Sequence, residues 1–166
     1  MKWIRHLISI LLLPGLATIA IPIFIWNKLD QTRPGWSFIF PLNLIPIITG
    51  LLFILAGLIL LYQTISLFAR VGNGTLAPWD PTESLVSQGI YRYVRNPMIT
   101  GVFSILLGEA ILTGSQTILV WFVVFVLINL VYIPYIEEPG LVRRFGEDYK
   151  EYCRRVPRWI PDLLKR

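Results

Sequence analysis

Residues Pro41–Ala69 read PLNLIPIITGLLFILAGLILLYQTISLFA, an apolar run without a charged side chain. A helix rises about 1.5 Å per residue, so about 20 residues cross a hydrocarbon core of about 30 Å. This run is longer than a perpendicular crossing needs, so it either tilts or keeps its early part, with Asn43 and Pro46, near the interface. Gly50 and Gly57 fall two turns apart on one face. That spacing suits close packing against a second helix, although small residues are common in apolar helices without any such role.

Outward from this run, three more apolar segments appear. Leu7–Trp26 and Thr117–Ile136 carry no charge, and Met98–Leu112 carries only Glu109. Pro14 and Pro22 should bend the first of them. A cleaved signal peptide is the competing reading of Leu7–Trp26, but the run is long for one, and Thr18-Ile19-Ala20 lacks a small residue three before a cut. Thr113-Gly114-Ser115 joins the last two segments as an uncharged turn, giving a helical hairpin. Residues 70–97 are a polar loop rich in glycine and proline, and residues 137–166 form a highly charged tail. No internal repeat is visible.

The composition agrees with this reading. Of 166 residues, 55% are hydrophobic and 15% charged, and the mean hydropathy is +0.64, which excludes an ordinary water-soluble or disordered chain. The single cysteine, Cys153, excludes an intrachain disulfide and leaves no thiol cage for a metal. The net charge of +5 has a sufficient explanation in lipid headgroups and topology, so nucleic-acid binding is not expected. Lys and Arg number two before the first span, two between the first and second, three in the 70–97 loop, none in the hairpin turn and eight after Ile136. The positive-inside rule then predicts an all-α, multi-pass integral membrane protein of one domain, residues 1–166, with four transmembrane helices. Both termini, the loop 70–97 and a helical tail 137–166 are expected on the cytoplasmic side. Trp3, Trp26, Trp36 and Trp121 read as interface anchors or lipid-facing mass, and Trp159 as a residue seating the tail on the membrane.

Two polar groups meet at that face. Gly89-Ile90-Tyr91-Arg92-Tyr93-Val94-Arg95-Asn96-Pro97 runs into a helix start at Pro97, with Gly101 a turn later. The free N–H groups there suit an anion or carboxylate. Equally, Arg92 and Arg95 could snorkel to lipid phosphates while the tyrosines form an aromatic belt. Glu137 and Glu138 stand where the last span leaves the bilayer. If the helix ends there they oppose its dipole, which a cationic ligand would relieve; the alternative is salt bridging to Arg143 and Arg144. Together these groups offer what S-adenosylmethionine needs, but other ligands of mixed charge fit as well, and no Rossmann glycine turn is present. Glu109 is either functional or reaches water at the outer end of its segment. Cys153 reads as an ordinary thiol.

The pattern Gly89-x-Tyr91-x-x-x-Arg95-Asn96-Pro97-x-x-x-Gly101 resembles the Gly-x-Tyr…Arg-His-Pro-x-Tyr-x-Gly signature of isoprenylcysteine carboxyl methyltransferases and related phospholipid methyltransferases. The tail is similar too: Glu137-Glu138, then Phe145-Gly146-Glu147-Asp148-Tyr149, Tyr152, Arg155-Val156-Pro157 and Pro161 follow that family's order and spacing. The resemblance spans about Leu85 to Pro161. It implies S-adenosylmethionine as cofactor, held by Tyr91, Asn96, Pro97, Gly101, Glu137, Glu138, Tyr149 and Tyr152. It also implies a lipophilic acceptor entering from the membrane lipids, prenylated or phospholipid-like, with Arg95 and Arg155 as the catalytic pair on its carboxylate. No metal is expected. Asn96 and Ile99 depart from the family histidine and tyrosine; asparagine keeps hydrogen bonding but cannot titrate near neutral pH.

Methyl transfer from a sulfonium needs chiefly that two reactants be held at near-attack distance. A carboxylate acceptor is already ionised, whereas a phospholipid amine needs a base, for which Glu137, Glu138, Tyr149 or water are candidates. Alternatives to an O-methyltransferase are a phospholipid amine N-methyltransferase, an NADPH-dependent membrane reductase and a non-catalytic membrane scaffold.

Overall fold

A computed structural model describes residues 11–30, 35–36, 40–72 and 84–161. The beginning of the first predicted span at Leu7, Trp3, the middle of the polar loop and the end of the tail lie outside them. The described residues form helices and connecting turns, with no strand among them. A π-helical stretch, Leu11–Ala20, leads into α1, Ile21–Lys28. Then follow α2, Leu44–Leu67, a 3-10 turn at Gly89–Arg92, α3, Pro97–Thr113, α4, Gln116–Tyr132, and α5, Glu138–Arg155.

Two helical rods, Leu44–Val71 and Gln116–Arg155, are long and apolar enough to cross a membrane. Only 22% and 17% of their most apolar windows are buried, so they are not the core helices of a soluble protein, and their apolar faces suit a lipid solvent. The third apolar helix, α3, is shorter at 17 residues. It is nevertheless the hub. Leu106, Val102 and Ile105 are its buried centre, packed against Ala17 of the first helix, Leu61 of α2 and Trp121 and Phe125 of α4.

Glycine decides how closely α2 and α3 approach. A Cβ placed on Gly50 would lie 2.8 Å from the Gly108 carbonyl oxygen, and one on Gly57 would lie 2.5 Å from that of Gly101. The pairs run in opposite directions, so the helices are antiparallel, with backbone against backbone at two points two turns apart. Between them Ser104 Oγ donates to the Phe53 carbonyl at 2.7 Å. The spacing of Gly50 and Gly57 thus has a packing reason.

Around Pro14 the first helix is π-helical, Leu11–Ala20, and Pro22 follows in the first turn of α1. In a π-turn the Ala17 carbonyl looks to the N–H five residues on, which Pro22 lacks. The Trp121 indole N–H donates to that carbonyl instead, at 3.1 Å, so Trp121 ties α4 to the first helix rather than facing lipid alone. The predicted hairpin between α3 and α4 also forms. Gly114 turns the chain at φ 67°, and Ser115 caps α4 by accepting from the Ile118 N–H. Asp30 accepts hydrogen bonds from Ser115 Oγ, at 2.5 Å, and from Thr117 Oγ1. Trp36 Nε1 donates to the Ile111 carbonyl at 2.7 Å on the same end of the bundle.

At the other end, α4 does not stop at Ile136. A π-turn, Ile133–Glu137, carries the helix into α5, so Glu137 and Glu138 lie inside one continuous rod, Gln116–Arg155, instead of ending a helix. The dipole conflict expected if the helix ended there does not arise, because the partial negative charge belongs to unpaired carbonyls at a helix end and this helix continues.

Candidate active site

Helix α5 is two rods joined at Gly146, whose φ of 60° and ψ of −131° break the helical geometry. That backbone conformation is open to glycine and strained for any residue with a Cβ. The bend lets Tyr149 and Tyr152 turn inward, where they are buried with Val156 against Leu85 and Leu141. Gly146→Ala is expected to lower stability by about 1–3 kcal/mol with nothing sterically in the way, since no atom lies within 4 Å of a Cβ there. Thermal unfolding in detergent, with the half-buried helical Gly140→Ala as comparison, checks this.

Val156 precedes Pro157 and is therefore extended, at φ −114° and ψ 124°. This ends α5 and turns Pro157-Arg158-Trp159 back onto α3. The Arg95 N–H donates to the Pro157 carbonyl at 2.9 Å, and Asn96 Nδ2 donates to the Arg158 carbonyl at 3.2 Å. Trp159 stacks on Phe103 with centroids 5.5 Å apart. It fastens the tail to α3, a more specific seat than the membrane surface expected for it.

The centre of this end is Glu138. Arg95 Nη1 donates to its Oε1 at 2.8 Å, and Arg158 holds both oxygens, Nε to Oε1 at 2.8 Å and Nη2 to Oε2 at 2.9 Å. The side chains of Arg95, Glu138 and Arg158 are 12%, 15% and 36% exposed. Two guanidiniums on one carboxylate leave an excess positive charge. Arg95 Nη1 also donates to Cys153 Sγ at 2.9 Å, and Arg95 Nε is buried with no hydrogen-bond partner among the described residues. The bond to Glu138 pushes the Arg158 guanidinium further up. Beside the cluster an open groove of about 660 Å³ is lined by Glu138, Tyr149 and Cys153, by the apolar Pro134, Pro139 and Val142, and by the cationic Arg143, Lys150 and Arg154, a volume adequate for a small-molecule ligand.

The tyrosines hold the frame. Tyr152 Oη donates to the Tyr91 carbonyl at 2.7 Å, and burial keeps the Tyr152 phenol protonated well above its usual range. Tyr91 is buried, edge-on to Phe68 at 5.7 Å. Burial, then the neighbouring Cys153 and Glu138, likewise push Tyr149 up.

Of the residues singled out in the sequence, Arg95, Asn96, Glu138, Tyr149, Tyr91 and Tyr152 converge here, and Pro97 starts α3 beneath them. Three lie apart. Arg155 points outward, pairing with Glu151 at 3.3 Å one turn back. Gly101 serves the α2–α3 seam, its Cβ position 3.0 Å from the Gly57 carbonyl oxygen. Glu137 is exposed and forms no ion pair among the described residues. Glu138 pairs across the fold, not with Arg143 or Arg144 as its helical spacing allowed. Sequence reasoning missed Arg158 and the contact of Cys153 with Arg95. Pro157 marked where the helix stops, but nothing local marked where the chain goes next. Glu109 remains in α3 with one buried carboxylate oxygen unpartnered among the described residues.

Residues 45–148 match the phospholipid methyltransferase family. The chain belongs to that family. It is 39% identical over 83 residues, 46% of its length, to protein-S-isoprenylcysteine O-methyltransferase of Schizosaccharomyces pombe. It is 33% identical over 102 residues, 56% of its length, to phosphatidylethanolamine N-methyltransferase 1 of Vanderwaltozyma polyspora. The matched stretches cover 33% and 12% of those proteins' own lengths, so the chain spans a third or less of the curated relatives it matches.

Proposed function

We propose that the chain is a membrane-embedded methyltransferase that uses S-adenosylmethionine and a lipophilic acceptor. The observation that carries this reading is the convergence of Arg95, Glu138 and Tyr149, from separate family motifs, beside a groove at one end of an apolar helical bundle. The donor set fits the cofactor: Glu138 is a carboxylate suited to its ammonium, and the unpartnered Arg95 Nε is a buried donor suited to a carboxylate. When bound, the cofactor supplies a methyl group activated on a sulfonium.

This chain's own residues bind and orient. Glu138 fixes one charged end, Tyr149 and the prolines offer apolar faces, and the tail segment Pro157-Arg158-Trp159 carries the guanidinium that holds Glu138 in place. A carboxylate acceptor, as the name of the S. pombe relative suggests, would need no base. An amine acceptor, as in the V. polyspora relative, would need one. Tyr149, held protonated, is then a poor choice, which leaves Glu137, Glu138 or water. Four spans with both termini cytoplasmic would place the site at the cytoplasmic face, within reach of lipid headgroups.

Titration of the detergent-purified protein with S-adenosylhomocysteine is expected to give saturable heat, and labelled S-adenosylmethionine with a membrane lipid extract is expected to give a labelled lipid. Folded protein that binds no S-adenosylhomocysteine overturns the reading.

A further inference from the structure

Glu138 is not a free carboxylate waiting for a cation. Arg158 already holds both of its oxygens, at 2.8 and 2.9 Å, while Arg95 holds one of them at 2.8 Å. An ammonium approaching Glu138 therefore meets an internal cation in the same position. The two arginines are not equivalent. Arg95 is 12% exposed and is further tied to Cys153 through the same Nη1, so moving it would strand a buried charge. Arg158 is 36% exposed, and among the described residues no hydrogen bond besides those to Glu138 engages its side chain. Its backbone is fixed separately, through its carbonyl to Asn96 at 3.2 Å and through Trp159 on Phe103. The guanidinium can therefore leave without loosening the segment that carries it.

Resting on the proposed donor site, we propose that Arg158 is a positioning residue that competes with the donor's ammonium for Glu138 and so sets how tightly the donor is held. It keeps the carboxylate oriented and neutralised until a ligand cation takes its place, and the displaced guanidinium then turns to the solvent side with its donors open to an anion. Arg95 remains on Glu138 throughout.

The sign of the effect separates competition from a merely structural role. Arg158→Ala is expected to tighten S-adenosylhomocysteine binding by roughly fivefold, the worth of a partly exposed bidentate pair. Binding of 5′-methylthioadenosine, which lacks the amino-acid moiety and its ammonium, should stay unchanged. Arg158→Gln, which keeps a long polar side chain without the charge, should show the same pattern and decides the matter if the alanine variant does not fold. If wild-type protein binds S-adenosylhomocysteine and both folded variants bind it equally or more weakly, the competition is overturned while the donor site stands. A variant change of equal size for both ligands also overturns it. If neither wild type nor variants bind S-adenosylhomocysteine, the donor-site reading falls and this inference with it.

Discussion

Glu138→Ala is expected to weaken S-adenosylhomocysteine binding by about 10- to 100-fold, the value of a charge-assisted hydrogen-bonded contact, and to lower stability by about 3 kcal/mol. Both effects come from the same geometry. Among the described residues Glu138 is the one carboxylate paired with Arg95 and Arg158, and Arg95 is 12% exposed. Removing the carboxylate leaves a nearly buried guanidinium without its counter-charge, and Arg95 Nε already lacks a partner. Glu138→Gln keeps the shape and one acceptor oxygen, so it should recover part of the stability but little of the binding. Isothermal titration and thermal unfolding of the three proteins separate the two effects. Wild-type affinity in Glu138→Ala would mean that the ligand's cation binds elsewhere.

Gly57→Val should be at least as damaging to the fold, without touching the polar end. Its Cβ would sit 2.5 Å from the Gly101 carbonyl oxygen and 2.6 Å from Ile105 Cγ1. The first of these is backbone of the facing helix, which cannot rotate away as a side chain can. The helices must separate, and α3, which carries the buried Val102, Ile105 and Leu106, must leave its neighbours on both sides. Overpacking of this kind costs about 3 kcal/mol or more. Gly140→Ala, with nothing within 4 Å of its Cβ, should be neutral or slightly stabilising. Unfolding in detergent distinguishes them, and equal stability of the two variants would mean that the α2–α3 seam is looser than the Gly57–Gly101 approach requires.

Much of the architecture is legible in the residues themselves, because it depends on local physics. Uncharged runs such as Pro41–Ala69 can bury their backbone polar groups in lipid only as helices, and prolines and glycines mark where those helices bend or turn. Gly50 and Gly57 share a face because of helical periodicity alone, which revealed a packing surface but not its partner. The motif residues Arg95 and Glu138 were recognisable as candidates, yet local spacing allowed Glu138 to pair with Arg143 or Arg144, and the resemblance set Arg155 beside Arg95. Tertiary structure decided otherwise. Helix α4 runs on through the Ile133–Glu137 π-turn, so Glu137 and Glu138 lie within a continuing helix; Gly146 then bends that helix at a positive φ, and Val156, forced extended by Pro157, sends Arg158 back to Glu138 while Arg155 stays on the outer face. Ion pairing depends on distances of a few ångströms between residues 20 and 43 positions apart. Such distances are the accumulated result of every bend between them, and no periodicity within one helix encodes them.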